Sequence, residues 1–105
     1  MKDQINTSTI GLKFDSEKPR WDLLPLETLT PMVEVLTFGA QKYGPNNWKL
    51  VEKDRYVAAA LRHFASWMGG ELIDPESGKP HMAHLMCNIL FISWIEQHEK
   101  STESN

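Results

Sequence analysis

A chain of 105 residues with 24% charged, 41% hydrophobic and 10% aromatic side chains has the composition of one folded domain (1–105) with a single modest core. Its formal net charge of −3 provides no basic field for a nucleic-acid backbone, which excludes polymer binding by counterion release and leaves a polyphosphate ligand only where a divalent cation neutralises it. The lone Cys87 rules out an internal disulfide, and the longest apolar run, LMCNILFISWI, is too short and interrupted to cross a bilayer; the expected setting is the cytoplasm, away from membranes.

Residues 1–24 carry neither a helical nor a strand period, and GLKFDSEKPRWDLLP mixes Phe14, Trp21 and Leu23 with Lys13, Lys18 and Arg20. This segment is expected to be a docking arm whose order depends on what it packs against. A first helix is expected to begin near Pro25 or Pro31, where a missing N–H costs nothing, with Thr30 a cap for the second start. Leu29, Val33, Leu36, Ala40 and Tyr43 form its apolar stripe, and Gly44-Pro45 ends it. Asp54 is the expected N-cap of a second helix, with Val57, Leu61, Phe64, Ala65 and Met68 on its core face and Gly69-Gly70 closing it. At 100° per residue Tyr56, His63 and Trp67 share one edge, which Glu71 and Asp74 would continue if the helix ran on.

The turn signal PESG precedes a third helix expected from Pro80 to about His98, apolar almost all round and therefore central. Residues 99–105 read as a flexible tail. No stretch alternates as a strand would, so the expected fold is an all-α bundle of three helices, whose bare apolar faces call for the arm or a second subunit.

The third helix carries one polar stripe, His81, His84 and Asn88 at i, i+3 and i+7. H-x-x-H-x-x-C suggests zinc, but Cys87 lies about 120° from His81 around the helix, so the converging trio is His81, His84 and Asn88. That trio is either a hydrogen-bonded seam in the core or one wall of a site. Glu71 and Asp74, spaced E-x-x-D, would share a helix face and suit a hard cation, or else decorate a solvated helix end. In KYGPNNW, Asn46 and Asn47 suit a turn, whereas Trp48 with the two amides and Lys42 could read a base edge and a phosphate. Lys18 and Arg20 are either surface charges or phosphate donors reaching across a subunit boundary. Glu34, by period alone, faces solvent.

KPRWDLLP, LTFGAQKYGPNNW and RHFASWMGGELIDPESGKPHMAHLMCN, in that order, resemble the N-terminal type of the dATP/dGTP diphosphohydrolases, short proteins common in phages that look like relatives of the all-α MazG-type nucleotide pyrophosphohydrolases. The resemblance runs from about Lys18 to about Trp94. It implies a MazG-like helical homo-oligomer, dimer or tetramer, in the host cytoplasm if phage-encoded. The implied reaction is hydrolysis of dATP or dGTP to the monophosphate and pyrophosphate with Mg²⁺ or Mn²⁺. On this reading Glu71 and Asp74 match the MazG-type E-x-x-D and Glu34 the glutamate before it, so these three would hold the metal. The match has a gap: the MazG-type first helix carries a denser glutamate motif, whereas here Val33 precedes Glu34 and Thr37 and Phe38 follow, so the metal site is either less secure or completed by His81, His84 or Asn88.

The roles that follow are His63 or His84 for proton handling, Lys42 and Arg62 for phosphates, and Trp48 and Asn47 for the base. Lys18, Arg20, Asn46, Trp67, His81 and Asn88 complete the candidate substrate-binding set. The alternative is a non-catalytic oligomer that binds and sequesters a nucleotide signal, as a phage counter-defence protein would, because a reduced carboxylate set suits binding without turnover.

Overall fold

The computed structural model describes Leu12 and residues 16–103, with side chains to Glu99. Most of the arm's first fifteen residues and the last two of the tail lie outside the described residues. Three helices form the body: α1 (Leu26–Tyr43), α2 (Lys53–Met68) and α3 (His81–Glu103). Short 3₁₀ turns at Trp21–Leu23 and Asn47–Leu50 precede α1 and α2. Among the described residues there is no strand, only one isolated antiparallel bridge between Ile73 and Pro80. The fold is the all-α bundle that the patterning predicts.

Each helix end has a local cause. Pro25 caps α1 with its missing N–H at a position that needs no donor, so Pro31 falls inside the helix and not at its start. Thr30 is therefore a helical residue and not a cap. α1 stops where Gly44, at φ 95°, returns its N–H to the Ala40 carbonyl at 2.8 Å. Glu52, and not Asp54, is the N-cap of α2; Asp54 sits in the first turn, where a carboxylate favours the positive end of the helix dipole. α2 ends in a Schellman motif, with the Glu71 N–H on the Ser66 carbonyl at 3.1 Å and the Gly70 N–H on the Trp67 carbonyl at 2.9 Å. That motif needs a left-handed residue, which Gly70 supplies at φ 100°.

α1 and α2 each pack on α3. This makes α3 the central helix, as expected, and it supplies most of the buried residues: His81, Ala83, Cys87 and Asn88. Two further expectations are corrected. α2 turns Tyr56, Ala59, Ala60, His63 and Ser66 inward, whereas Leu61 and Met68, assigned to its core face, are 63% and 66% exposed. On α1 the inward residues include Leu29, Leu36 and Ala40 from the expected stripe, but Val33 and Tyr43 point outward. The reason for the α2 rotation is steric and polar complementarity. On this face of α2, His63 meets His81 and His84 and Tyr56 meets Phe91 of α3, while Ala59, Ala60 and Ser66 sit between them and the larger apolar side chains are left on the outer surface.

Candidate functional site

The Schellman turn of α2 releases the chain into a loop that folds back on the start of α3. Two backbone bonds close it, Asp74 N–H to the Lys79 carbonyl at 2.8 Å and His81 N–H to the Leu72 carbonyl at 3.0 Å. Gly78, at φ 75°, makes the tight turn and donates to the Asp74 carbonyl at 2.7 Å. Glu71 and Asp74 therefore lie on this loop, and not on one helix face as the E-x-x-D spacing predicts; the two glycines terminate α2 before it reaches them.

The loop sets both carboxylates against histidines from two helices. His81, 4% exposed, places Nε2 at 2.7 Å from Glu71 Oε1 and Nδ1 at 2.9 Å from His63 Nδ1. His63 lies parallel to His84, ring centroids 4.5 Å apart. His84 Nε2 stands 2.7 Å from Ser77 Oγ and 3.6 Å from Asp74 Oδ2. Ligand atoms of His63, Asp74 and His81 all fall within 4.8 Å of one another.

Asp74, 9% exposed, is held by its own turn: Oδ1 accepts the Glu76 N–H at 3.0 Å, and Oδ2 lies 3.4 Å from the Ser77 hydroxyl. Burial alone would raise its pKa, but the Glu76 N–H together with His84, His63 and His81 outweighs that and leaves it below the ordinary carboxylate value. Burial lowers the pKa of His63, with His84 acting in the same direction and Asp74 opposing. Burial also lowers that of His84, again against Asp74. Both imidazoles are thus neutral at pH 7 and keep a nitrogen lone pair for a proton or a cation.

The remaining candidates are distributed around this cluster. Glu34 on α1 reaches the loop only through Lys79, whose Nζ lies 2.9 Å from Glu34 Oε1. Asn88, buried one turn beyond His84, donates Nδ2 to the His84 carbonyl at 2.9 Å. Arg62 is exposed on α2 beside His63, and its charge contributes to the lowered His63 pKa. Trp67 shares a face of α2 with His63, but its ring contact is Phe64 at 5.9 Å.

Trp48 is not brought to the cluster. It stacks on Phe91 at 4.7 Å and meets Trp94 edge-on at 5.1 Å, and its carbonyl accepts the Tyr56 hydroxyl at 2.6 Å. Phe91 is ten residues beyond His81, roughly 15 Å along the helix axis. Asn46, left-handed at φ 65°, and Asn47 form the turn that carries Trp48. Lys42 lies over the Tyr43 ring at 5.2 Å, Arg20 grips Asp22 at 2.7 Å, and Lys18 is exposed. Cys87 faces α1, its Sγ 3.4 Å from the Met32 carbonyl, with burial pushing the thiol pKa up to about 11, so it is no ligand of this cluster. Sequence reasoning missed Ser77 and Lys79, because PESGK reads there only as turn chemistry.

The molecule is thus an all-α bundle of three helices with a histidine–carboxylate cluster between α2, α3 and the loop that joins them. The chain belongs to the family described as dATP/dGTP diphosphohydrolase, N-terminal, which it matches over residues 8–105. It is 33% identical over 85 residues to a dATP/dGTP diphosphohydrolase of Salmonella phage PMBT28, a stretch that covers 81% of this chain and 29% of that relative. The chain thus spans under a third of the length of the curated relative it matches. No solved structure matches it. Among the described residues no helix is long and apolar enough to cross a membrane.

Proposed function

We propose that the chain hydrolyses purine deoxynucleoside triphosphates, dATP or dGTP, to the monophosphate and pyrophosphate. Water adds to the α-phosphorus, the bond from that phosphorus to the oxygen bridging to the β-phosphorus breaks, and pyrophosphate leaves with release of a proton. The observation that carries this reading is the convergence of His63, Asp74 and His81, flanked by Glu71 and His84, in a chain of this family.

A divalent cation, Mg²⁺ or Mn²⁺ on the expectation drawn from the resemblance, would offset phosphate charge and lower the pKa of water in a protein whose own charge is negative. The cluster offers a divalent ion the imidazoles of His63 and His81 and the carboxylate of Asp74, with Glu71 hydrogen-bonded to His81 behind them. Glu34, paired with Lys79, stands at the edge of that set. We assign proton handling to His84, whose Nε2 lies 2.7 Å from the Ser77 hydroxyl and whose pKa burial lowers. Arg62 is the exposed cation beside the cluster for the phosphates.

The outward apolar residues Leu61, Phe64 and Met68 on α2 are the surface that a MazG-like homo-oligomer would cover. Incubating the purified chain with each deoxynucleoside triphosphate and Mg²⁺ or Mn²⁺, with pyrophosphate release as the readout, tests the proposal. Failure to turn over any nucleotide while releasing it intact on heat denaturation would replace the hydrolase with a sequestering protein.

A further inference from the structure

The tautomer of His81 is dictated by its neighbours. Glu71 Oε1, 2.7 Å from Nε2, accepts, so Nε2 carries a hydrogen and, in the neutral ring, the lone pair is on Nδ1. That lone pair points at a second imidazole nitrogen, His63 Nδ1, only 2.9 Å away. Two nitrogens bound to one ion at about 2.0–2.1 Å stand roughly 2.9–3.4 Å apart, so a cation that displaces the proton shared in this hydrogen bond can take both nitrogens with little movement of the rings. Asp74 supplies the third donor. With all three ligand atoms within 4.8 Å, one ion need draw the outermost atom in by only roughly 1 Å.

We infer that His63, Asp74 and His81 form a two-histidine, one-carboxylate site for a late first-row divalent ion in preference to Mg²⁺, with Glu71 as the positioning residue that orients His81. The preference follows from donor chemistry: imidazole suits Fe²⁺ through Zn²⁺, whereas Mg²⁺ demands oxygen ligands and gives up water reluctantly. The three carboxylates expected to hold the metal do not form an oxygen cage. Glu71 is engaged by His81, Glu34 by Lys79, and one oxygen of Asp74 by the Glu76 N–H. A carboxylate behind a ligating imidazole fixes its ring and tautomer, and loss of such a partner weakens metal binding by about 10- to 100-fold.

This inference deepens the hydrolase reading and rests on a cation being bound at the same cluster, but its test reads binding and not turnover. Chelator-stripped protein is titrated with Co²⁺, followed by its visible absorption, with Mg²⁺ as competitor. One Co²⁺ per chain is expected, displaced by Mg²⁺ only at an excess on the order of a hundredfold or more. Hyperfine-shifted ring protons from two histidines in the unmutated protein are expected without recourse to any variant. His63→Asn should abolish binding and Glu71→Gln should weaken it without abolishing it.

Displacement of Co²⁺ by Mg²⁺ at equal concentration, or absence of shifted imidazole protons, would overturn the site. Turnover in Mg²⁺ by a chain that binds no Co²⁺ would refute this inference and leave the hydrolase standing. Histidine-bound Co²⁺ in a chain that turns over no nucleotide under any metal would do the opposite.

Discussion

The two ends of α3 are built on opposite principles. From His81 to Asn88 the buried polar groups, His81 and Asn88, are hydrogen-bonded and lie beside the small Ala83 and Cys87; from Phe91 to His98 aromatic rings stack, Trp94 on His98 at 3.8 Å and Phe91 on Trp48, yet none of these rings is fully buried. An ordinary small domain buries its rings and wets its imidazoles. Here the polar end is the drier one, and there each electrostatic contact is stronger because water screens it less. Stacking tolerates substitution, whereas a buried polar network loses heavily when one member goes.

The largest expected effect follows at the polar end. Asp74→Asn retains an oxygen for the Glu76 N–H and so should leave the loop folded, but it removes the only buried carboxylate of the cluster. Triphosphate turnover should fall by on the order of 10²- to 10³-fold, the scale found when one charge-stabilising group leaves an enclosed site. Full activity with native circular dichroism would show that the polar end is only a structural seam.

The aromatic end should show the reverse. Phe91→Ala removes the ring that meets both Trp48 and Tyr56, and at a half-buried position should lower unfolding free energy by about 2 kcal/mol in denaturant titration. Co²⁺ affinity should not change. A parallel loss of metal binding would mean that the two ends are coupled along the helix and the contrast between them is false.

The separation of the two ends is partly legible in the amino-acid order. The period places His81, His84 and Asn88 on one stripe and turns Cys87 away from it, and both relations hold in the fold. Glu71 and Asp74 are recognisable as a pair, but their placement beside histidines depends on where α2 ends, and a Schellman turn is a matter of backbone hydrogen bonds and not of side-chain period. The same limit explains α2: periodicity tells which residues share a face, not which face turns inward. The inward face of α2 is set by what it meets on α3, His63 on His81 and His84 and Tyr56 on Phe91, a fact about another helix. Trp48 reads as a base contact until its distant partners Phe91 and Trp94 are known.

A pH titration sharpens the contrast further. His63 and His84 have pKa values below the ordinary 6.5, so the unfolded chain binds more protons than the folded one in the interval beneath that value. Their contribution to stability is complete above pH 6.5 and is lost as pH falls through the folded-state values. Asp74, held below 3.8, adds a second loss only below that pH. The melting temperature should therefore decline from pH 6.5 towards pH 5 with a slope that His63→Asn reduces. A flat profile across that window would show that the two imidazoles are already hydrated.

The smallest expected effect concerns Glu34, the one carboxylate that the resemblance assigns to the metal and the loop reaches only through Lys79. The pair is half-exposed at 2.9 Å, and ion pairs of this kind contribute about 0–1 kcal/mol. Glu34→Gln should therefore shift unfolding by less than about 1 kcal/mol and, if His63, Asp74 and His81 are the complete protein ligand set, leave Co²⁺ affinity within about twofold, since only a neighbouring charge is removed. A carboxylate that joins the ion directly would behave otherwise, because losing a ligand costs far more than losing a screened neighbour. A drop in Co²⁺ affinity of tenfold or more would place Glu34 on the metal, with Lys79 as the cation that occupies its oxygen until the ion arrives. The helix α1 would then belong to the polar end of the molecule rather than merely covering it.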